Sequence, residues 1–333
     1  MINAKYKNNF NILRLILAIL VFFYHWNILT NQNISYNIFH LGEYAVDIFF
    51  IVSGFLIFWS FDNNKNIKDF YIKRFFRIFP LYAFLVLLQT LFFVIYSNGT
   101  LAEIIKYFSS NIVFLNFLSP SVATTFIDLK VNAINGSLWT LKNEVIFYLS
   151  VPFLFMFYKK WGIIFLLILY SFSVLYMFFI NEMGLTKLLN QFPAQLKLFI
   201  VGILFYLLYE RINKKNIYIF LLFSVSAIII FIENKYFKFA FYPILLGFIV
   251  IYLVYYIRQV DIRFDFSYSF YIFHFPVIQL AIFFGLNPSN PKLSFIVLFI
   301  IILFLSYLSE KYIEKRFVLI GKKIISNKQL RRR

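Results

Sequence analysis

The chain is a near-continuous series of apolar runs, each about as long as a bilayer is thick, joined by short polar connections. A helix needs about 20 apolar residues to cross the hydrocarbon core. Ten candidate spans fall near 10–29, 42–61, 78–96, 144–158, 161–180, 196–210, 217–232, 241–257, 265–286 and 293–309. Over its 333 residues the chain is 62% hydrophobic and 14% charged, whereas soluble domains carry charge on about a quarter of their residues. The expected fold is therefore an all-α polytopic membrane protein of about ten transmembrane helices. The first run is full length and lacks a small-residue cleavage site, so it reads as a retained helix.

Charge orients the array. If the N-terminus lies inside and the spans alternate, about three in four of the 32 lysines and arginines fall on the inner side. That is the positive-inside bias, and it puts both termini in the cytoplasm. The same distribution explains the net charge of +18 by a lipid bilayer partner, with no nucleic acid partner expected. The basic tail, with Lys322, Lys323, Lys328 and Arg331 to Arg333, is expected to lie against anionic lipid. The chain reads as one membrane domain, residues 1–310, followed by a basic cytoplasmic tail, 311–333. The long outer segment from Ser97 to Asn143 includes a weakly amphipathic stretch, Leu101 to Leu118, expected on the membrane surface. With no cysteine and three histidines, thiolate chemistry is excluded and no metal centre is expected.

Ionisable groups inside spans are costly and mark candidate function. Arg14 and His25 lie eleven positions apart in the first run, about 20° beyond three full turns, so they share a helix face about 16 Å apart along the axis. Each also has a bland reading. Arg14 can snorkel to inner headgroups, and His25, between Tyr24 and Trp26, can belong to an interfacial belt. Asp47 enters the second span at a depth similar to His25, where a carboxylate could orient an imidazole as a general base, or it could pair locally. Arg74 and Arg77 share a face at the inner end of the third span, either as topology determinants or as phosphate ligands. Glu144 opens the fourth span from the outer side as a second acid or a favourable N-terminal charge, and Trp139 offers a ring face for a sugar. His274 lies mid-span, as a satisfied buried histidine or a substrate contact.

Together these features resemble the acyltransferase-3 family of integral membrane O-acyltransferases. The resemblance rests on Arg14 and His25 at the family's Arg-x10-His spacing and on the run Val46 to Phe55. It also rests on Arg74, Arg77-Ile78-Phe79-Pro80, on the stretch Trp139 to Tyr148, and on Tyr268-Ser269 to His274-Phe275-Pro276. The chain departs from the family's common tryptophan-containing motif at Lys142-Asn143 and Val145. The resemblance implies a bacterial inner-membrane enzyme that moves an acyl group, usually acetyl, from cytoplasmic acyl-CoA to a hydroxyl of a cell-envelope glycan or lipid-linked sugar. It implies that Arg14 and His25 are essential. The residues suit that reaction: Arg14, Arg74 and Arg77 would hold the phosphates of acetyl-CoA. His25, supported by Asp47 or Glu144, would act as general base or transient acyl carrier, with Trp139 and His274 toward the acceptor. The competing reading is a non-enzymatic carrier of a glycan or lipid-linked sugar, in which the same charges line a path.

Overall fold

The computed structural model describes residues 8–32, 37–260, 265–285 and 291–330, and all regular structure among them is helical. In chain order the helices are α1 (Phe10–Thr30), α2 (Gly42–Asn64), α3 (Ile67–Tyr96), α4 (Leu101–Ile112), α5 (Leu138–Glu182) and α6 (Phe192–Leu208). They continue with α7 (Lys214–Phe231), α8 (Lys235–Ala240), α9 (Tyr242–Ile251), α10 (Ser267–Phe283), α11 (Pro291–Ser309) and α12 (Lys315–Leu330). Six helical stretches among the described residues are long and apolar enough to cross a membrane, and three shorter apolar helices accompany them: Asn216–Phe231, Tyr242–Tyr256 and Ser267–Phe283. The protein is a polytopic helical membrane protein.

The expected spans 144–158 and 161–180 lie on one long element, α5, interrupted at Gly162 with φ 66° and ψ −154°. A residue with a Cβ rarely adopts that backbone conformation, so glycine ends one helix there and lets another begin. The expected tail is a helix as far as Leu330, continuing α11 through a π-turn at Glu310–Glu314; Arg331 to Arg333 lie outside the described residues.

The chain divides into two compact units. Unit 1 comprises residues 1–14, 44–70 and 143–263. In it α2 and α6 meet backbone to backbone: a Cβ on Gly202 would collide with the Ile51 carbonyl, and one on Gly54 with that of Phe199. Small residues permit such close approach where lipid offers no hydrophobic drive for helix association. Phe199 then stacks on Phe147 of α5 with ring centroids 4.3 Å apart.

Unit 2 comprises residues 15–43, 71–142 and 264–333. Tyr268 of α10 donates to the Ile78 carbonyl of α3 at 2.9 Å, and Ser269 donates to the Ser306 carbonyl of α11 at 3.1 Å. These two bonds set the register of three helices. Phe22 of α1 packs between Phe295 and Phe299 of α11, with centroids 5.2 and 5.4 Å away.

The amphipathic segment 101–118 contributes a helix, α4. Helix α4 starts at a capping box formed by Thr100 and Glu103, which satisfies its first amides. It then runs back antiparallel along α3. Tyr107 donates to Gln89 Oε1 at 2.8 Å, and one turn further on the Asn111 carbonyl accepts from Tyr82 at 2.6 Å. Tyr107, Ser110 and Asn111 are buried, whereas Glu103, Lys106 and Ser109 are exposed. Part of its polar content therefore hydrogen-bonds to α3. Residues 113–137 are irregular apart from one short turn at Asn116–Leu118. Irregular backbone in a membrane protein needs protein partners for its polar groups, and here Asn111 Nδ2 supplies one to the Ser119 carbonyl at 2.9 Å.

Candidate active site

Unit 2 brings two of the three histidines together. His25 on α1 and His274 on α10 meet with His274 Nε2 and His25 Nδ1 2.9 Å apart and ring centroids 4.9 Å apart. His274 is fully buried, and its Nδ1 bonds the Tyr271 carbonyl one turn earlier. A carbonyl only accepts, so His274 Nδ1 carries the hydrogen and, in the neutral ring, Nε2 carries the lone pair. The bond between the rings then requires the hydrogen on His25 Nδ1. The network thus assigns His25 the tautomer with a lone pair on Nε2.

The position of His274 follows from local sequence. Pro276 lies within α10 and has no N–H, so the carbonyl four residues earlier, that of Ile272, loses its helical donor. Asn135 Nδ2 donates to that carbonyl at 3.0 Å. The Asn135 side-chain oxygen in turn accepts from Ser137 Oγ at 2.7 Å and from the Ser137 amide at 3.2 Å. Gly136 between them lies so close to Phe275 that a Cβ would meet the ring, and Phe275 packs edge-on against His25 at 5.0 Å. One turn earlier on α10, Tyr271 hydroxyl pairs with Thr140 at 2.8 Å. The Asn135-Gly136-Ser137 turn therefore buttresses both histidines. Sequence reasoning missed Asn135; the available signal was the proline in the middle of an apolar span.

At the other end of unit 2, Arg77 Nη2 lies 2.7 Å from Asp265 Oδ2, and Nη1 lies 3.9 Å from Glu314 Oε2. Glu314 is only 2% exposed. Arg77 therefore ties α3 to the segment before α10 and to the π-turn after α11. Asp265, also held by Ser267 Oγ at 2.7 Å, was not expected from the sequence. Arg74 and Trp139 belong to the same unit and are half-buried.

Asp47, Glu144 and Arg14 belong to unit 1, and each is half-buried. Glu144 Oε1 accepts from Tyr148 hydroxyl at 2.6 Å and from Ser53 Oγ at 3.1 Å, so its carboxylate is held across α5 and α2. Asp47 interacts electrostatically with Lys197 of α6. Lys197 is 3% exposed, lies against Met177 Sδ and sits 5.4 Å from the Phe239 ring centroid. Sequence reasoning did not single out Lys197, although it is a cation inside the apolar run 196–210. Helix α1 is unbroken from Phe10 to Thr30, so the Arg14–His25 spacing is carried by one continuous helix.

A polytopic helical membrane protein with a tautomer-defined histidine pair inside its helices fits a membrane-embedded acyl-transfer enzyme. The chain belongs to the acyltransferase-3 family, whose acyltransferase domain matches residues 7–310. It is 31% identical over 331 residues to the O-acetyl transferase of Shigella phage Sf6, covering 94% of this chain and 96% of that protein. It is 28% identical over 182 residues to Nodulation protein 10 of Rhizobium leguminosarum bv. viciae, covering 48% of this chain and 47% of that one. A third relative, the peptidoglycan O-acetyltransferase OatA of Listeria monocytogenes, is 28% identical over 172 residues, 48% of this chain and 26% of its own length. No solved structure matches. The protein is a membrane O-acetyltransferase, which selects the enzyme over the carrier.

Proposed function

We propose that the protein transfers an acetyl group from cytoplasmic acetyl-CoA to a hydroxyl of a cell-surface glycan or lipid-linked sugar, in the inner membrane of a bacterium. The reading uses ten membrane passes with both termini cytoplasmic. The O-acetyl transferase of the phage and the peptidoglycan O-acetyltransferase of Listeria support the acetyl group and the glycan class.

The observation that carries the mechanism is the hydrogen-bonded chain from His25 through His274 to the Tyr271 carbonyl. In this reading the lone pair on His25 Nε2 takes the proton of the acceptor hydroxyl as its oxygen attacks the thioester carbon. The carbon–sulfur bond breaks, and the thiolate leaves with the proton returned by the imidazolium. His274 is a positioning residue: it keeps the hydrogen of His25 on Nδ1, accepts from it, and stabilises the positive charge that develops. The same lone pair would serve a transient acyl-histidine, which acid-quench trapping of labelled protein distinguishes.

Arg14 and Arg74 are the proposed ligands of the CoA phosphates, through charge-assisted hydrogen bonds. Arg77 already faces two carboxylates, so its proposed part is to order the inner end of α3, from which Arg74 projects. Asp47 and Glu144 remain the proposed carboxylates of the reaction, Asp47 with Lys197 as its balancing charge. Trp139 is proposed to stack on the acceptor sugar. The experiment is glycan acetylation in cells, read by mass spectrometry, for His25→Ala and Arg14→Ala proteins expressed at wild-type level. Loss of acetylation is expected, and full acetylation by the His25→Ala protein would end the proposal.

A further inference from the structure

Unit 2 also holds an apolar cavity of about 430 Å³, bounded by residues 84–92 of α3, 273–280 of α10 and 305–313 of α11 and its π-turn. It is separate from the histidine pair. Phe273 and Pro276 line it, whereas His274 between them turns to His25.

The cavity is long. Along α3 the lining runs from Phe84 to Phe92, a rise of about 12 Å at 1.5 Å per residue. A slot of that length, parallel to membrane-spanning helices and walled by Leu, Phe, Ile and Val, matches an extended hydrocarbon chain better than a compact polar metabolite.

Its far end is charged. Tyr312 lines the cavity and is half-exposed. Lys311 Nζ lies 5.3 Å and Arg316 Cζ 5.6 Å from the centre of its ring, and both cations are exposed. Of the two nearby acids, Glu314 is buried and faces Arg77, leaving Glu310 on the same turn. Two cations on one aromatic ring at the mouth of an apolar slot complement a phosphate headgroup joined to a chain.

We propose that the slot binds one anionic glycerophospholipid, with its phosphate at Lys311 and Arg316 beside Tyr312 and one acyl chain running along α3 past Gln89. Gln89 gives the chain assignment its own check. Its Oε1 accepts from Tyr107 while its buried Nε2 has no hydrogen-bond partner, and Gln89 lines the slot. A hydrocarbon chain leaves that nitrogen unpaired, so Gln89→Leu should hold the lipid as well as or better than wild type. A ligand bearing oxygen at that level would instead be lost.

The test is native mass spectrometry of the full chain with equimolar phosphatidylglycerol, phosphatidylcholine and polyprenyl phosphate. Phosphatidylglycerol should be retained over phosphatidylcholine by about tenfold or more, the scale of two cations at a membrane surface. The Lys311→Ala/Arg316→Ala protein, altered only at exposed positions, should lose that preference, and Leu88→Trp should reduce retention of every lipid by filling the slot. Equal retention of the two phospholipids, an unchanged preference in the double variant, preferred retention of polyprenyl phosphate, or loss of phosphatidylglycerol in Gln89→Leu would each overturn the proposal.

Discussion

Asn135 supplies the hydrogen bond that Pro276 takes away from α10. Its Nδ2 donates to the Ile272 carbonyl at 3.0 Å, the group that lacks a helical donor because residue 276 has no N–H. An irregular segment and a proline-containing helix thereby satisfy each other, two residues along the chain from His274.

Asn135→Ala should destabilise the protein by about 1–3 kcal/mol, the cost of leaving a buried carbonyl unpaired. Pro276→Ala restores the backbone donor, so in that background the same substitution should cost less. Thermal unfolding in detergent of the two single variants and the double variant reads the coupling directly. Strict additivity would show that Asn135 does not serve the Ile272 carbonyl.

Arg77→Ala should be destabilising, by about 3–5 kcal/mol, because it removes a cation that faces the buried carboxylate of Glu314. The Asp265 side of the interaction is partly exposed and contributes less. Adding Glu314→Gln should recover most of the loss in melting temperature. A double variant no more stable than Arg77→Ala would place the origin of the effect elsewhere.

Gly202→Ala and Gly54→Ala should each force α2 and α6 apart, since the added methyl meets carbonyl oxygen and not a movable side chain. Overpacking of this kind costs about 1–3 kcal/mol. Gly162→Ala should be costly for a different reason: nothing lies within 4 Å of its would-be Cβ, so the penalty is conformational. Lower melting temperatures in all three, with Gly162→Asn as costly as Gly162→Ala because φ 66°, ψ −154° lies outside the left-handed helical region, would bear this out.

Much of this architecture was legible because membrane spans announce themselves by length and apolarity. The break in α5 is an example: two apolar runs with two lysines between them, the second carrying a glycine near its start, became two helices meeting at Gly162. Helix α4 was legible as an amphipathic stretch, but its partners Gln89 and Tyr82 were not, because such a pattern records that a face needs polar partners and not which ones. Among the site residues, His25 stood out by its cost in an apolar helix. Its partner His274 was visible as a residue but not as a neighbour, because a contact between α1 and α10 is separated by 249 positions in sequence. Asp265 and Asn135 look like ordinary loop residues until the helices they serve, through Arg77 and Pro276, are in place.

The central claim is that His25 reacts through Nε2 and that His274 sets its tautomer. The most direct measurement is acceptor-dependent CoA release from acetyl-CoA by purified protein in liposomes, comparing wild type, His25→Ala, His274→Ala and His274→Gln, each verified as folded. Removing the base should cost about 10²–10⁴-fold in kcat. His274→Ala should cost less than His25→Ala and shift the pH–rate profile, and His274→Gln, which can still offer an acceptor to His25 Nδ1, should recover part of the rate. Wild-type turnover by folded His25→Ala, or equal losses in both His274 variants with an unmoved pH profile, would contradict the account.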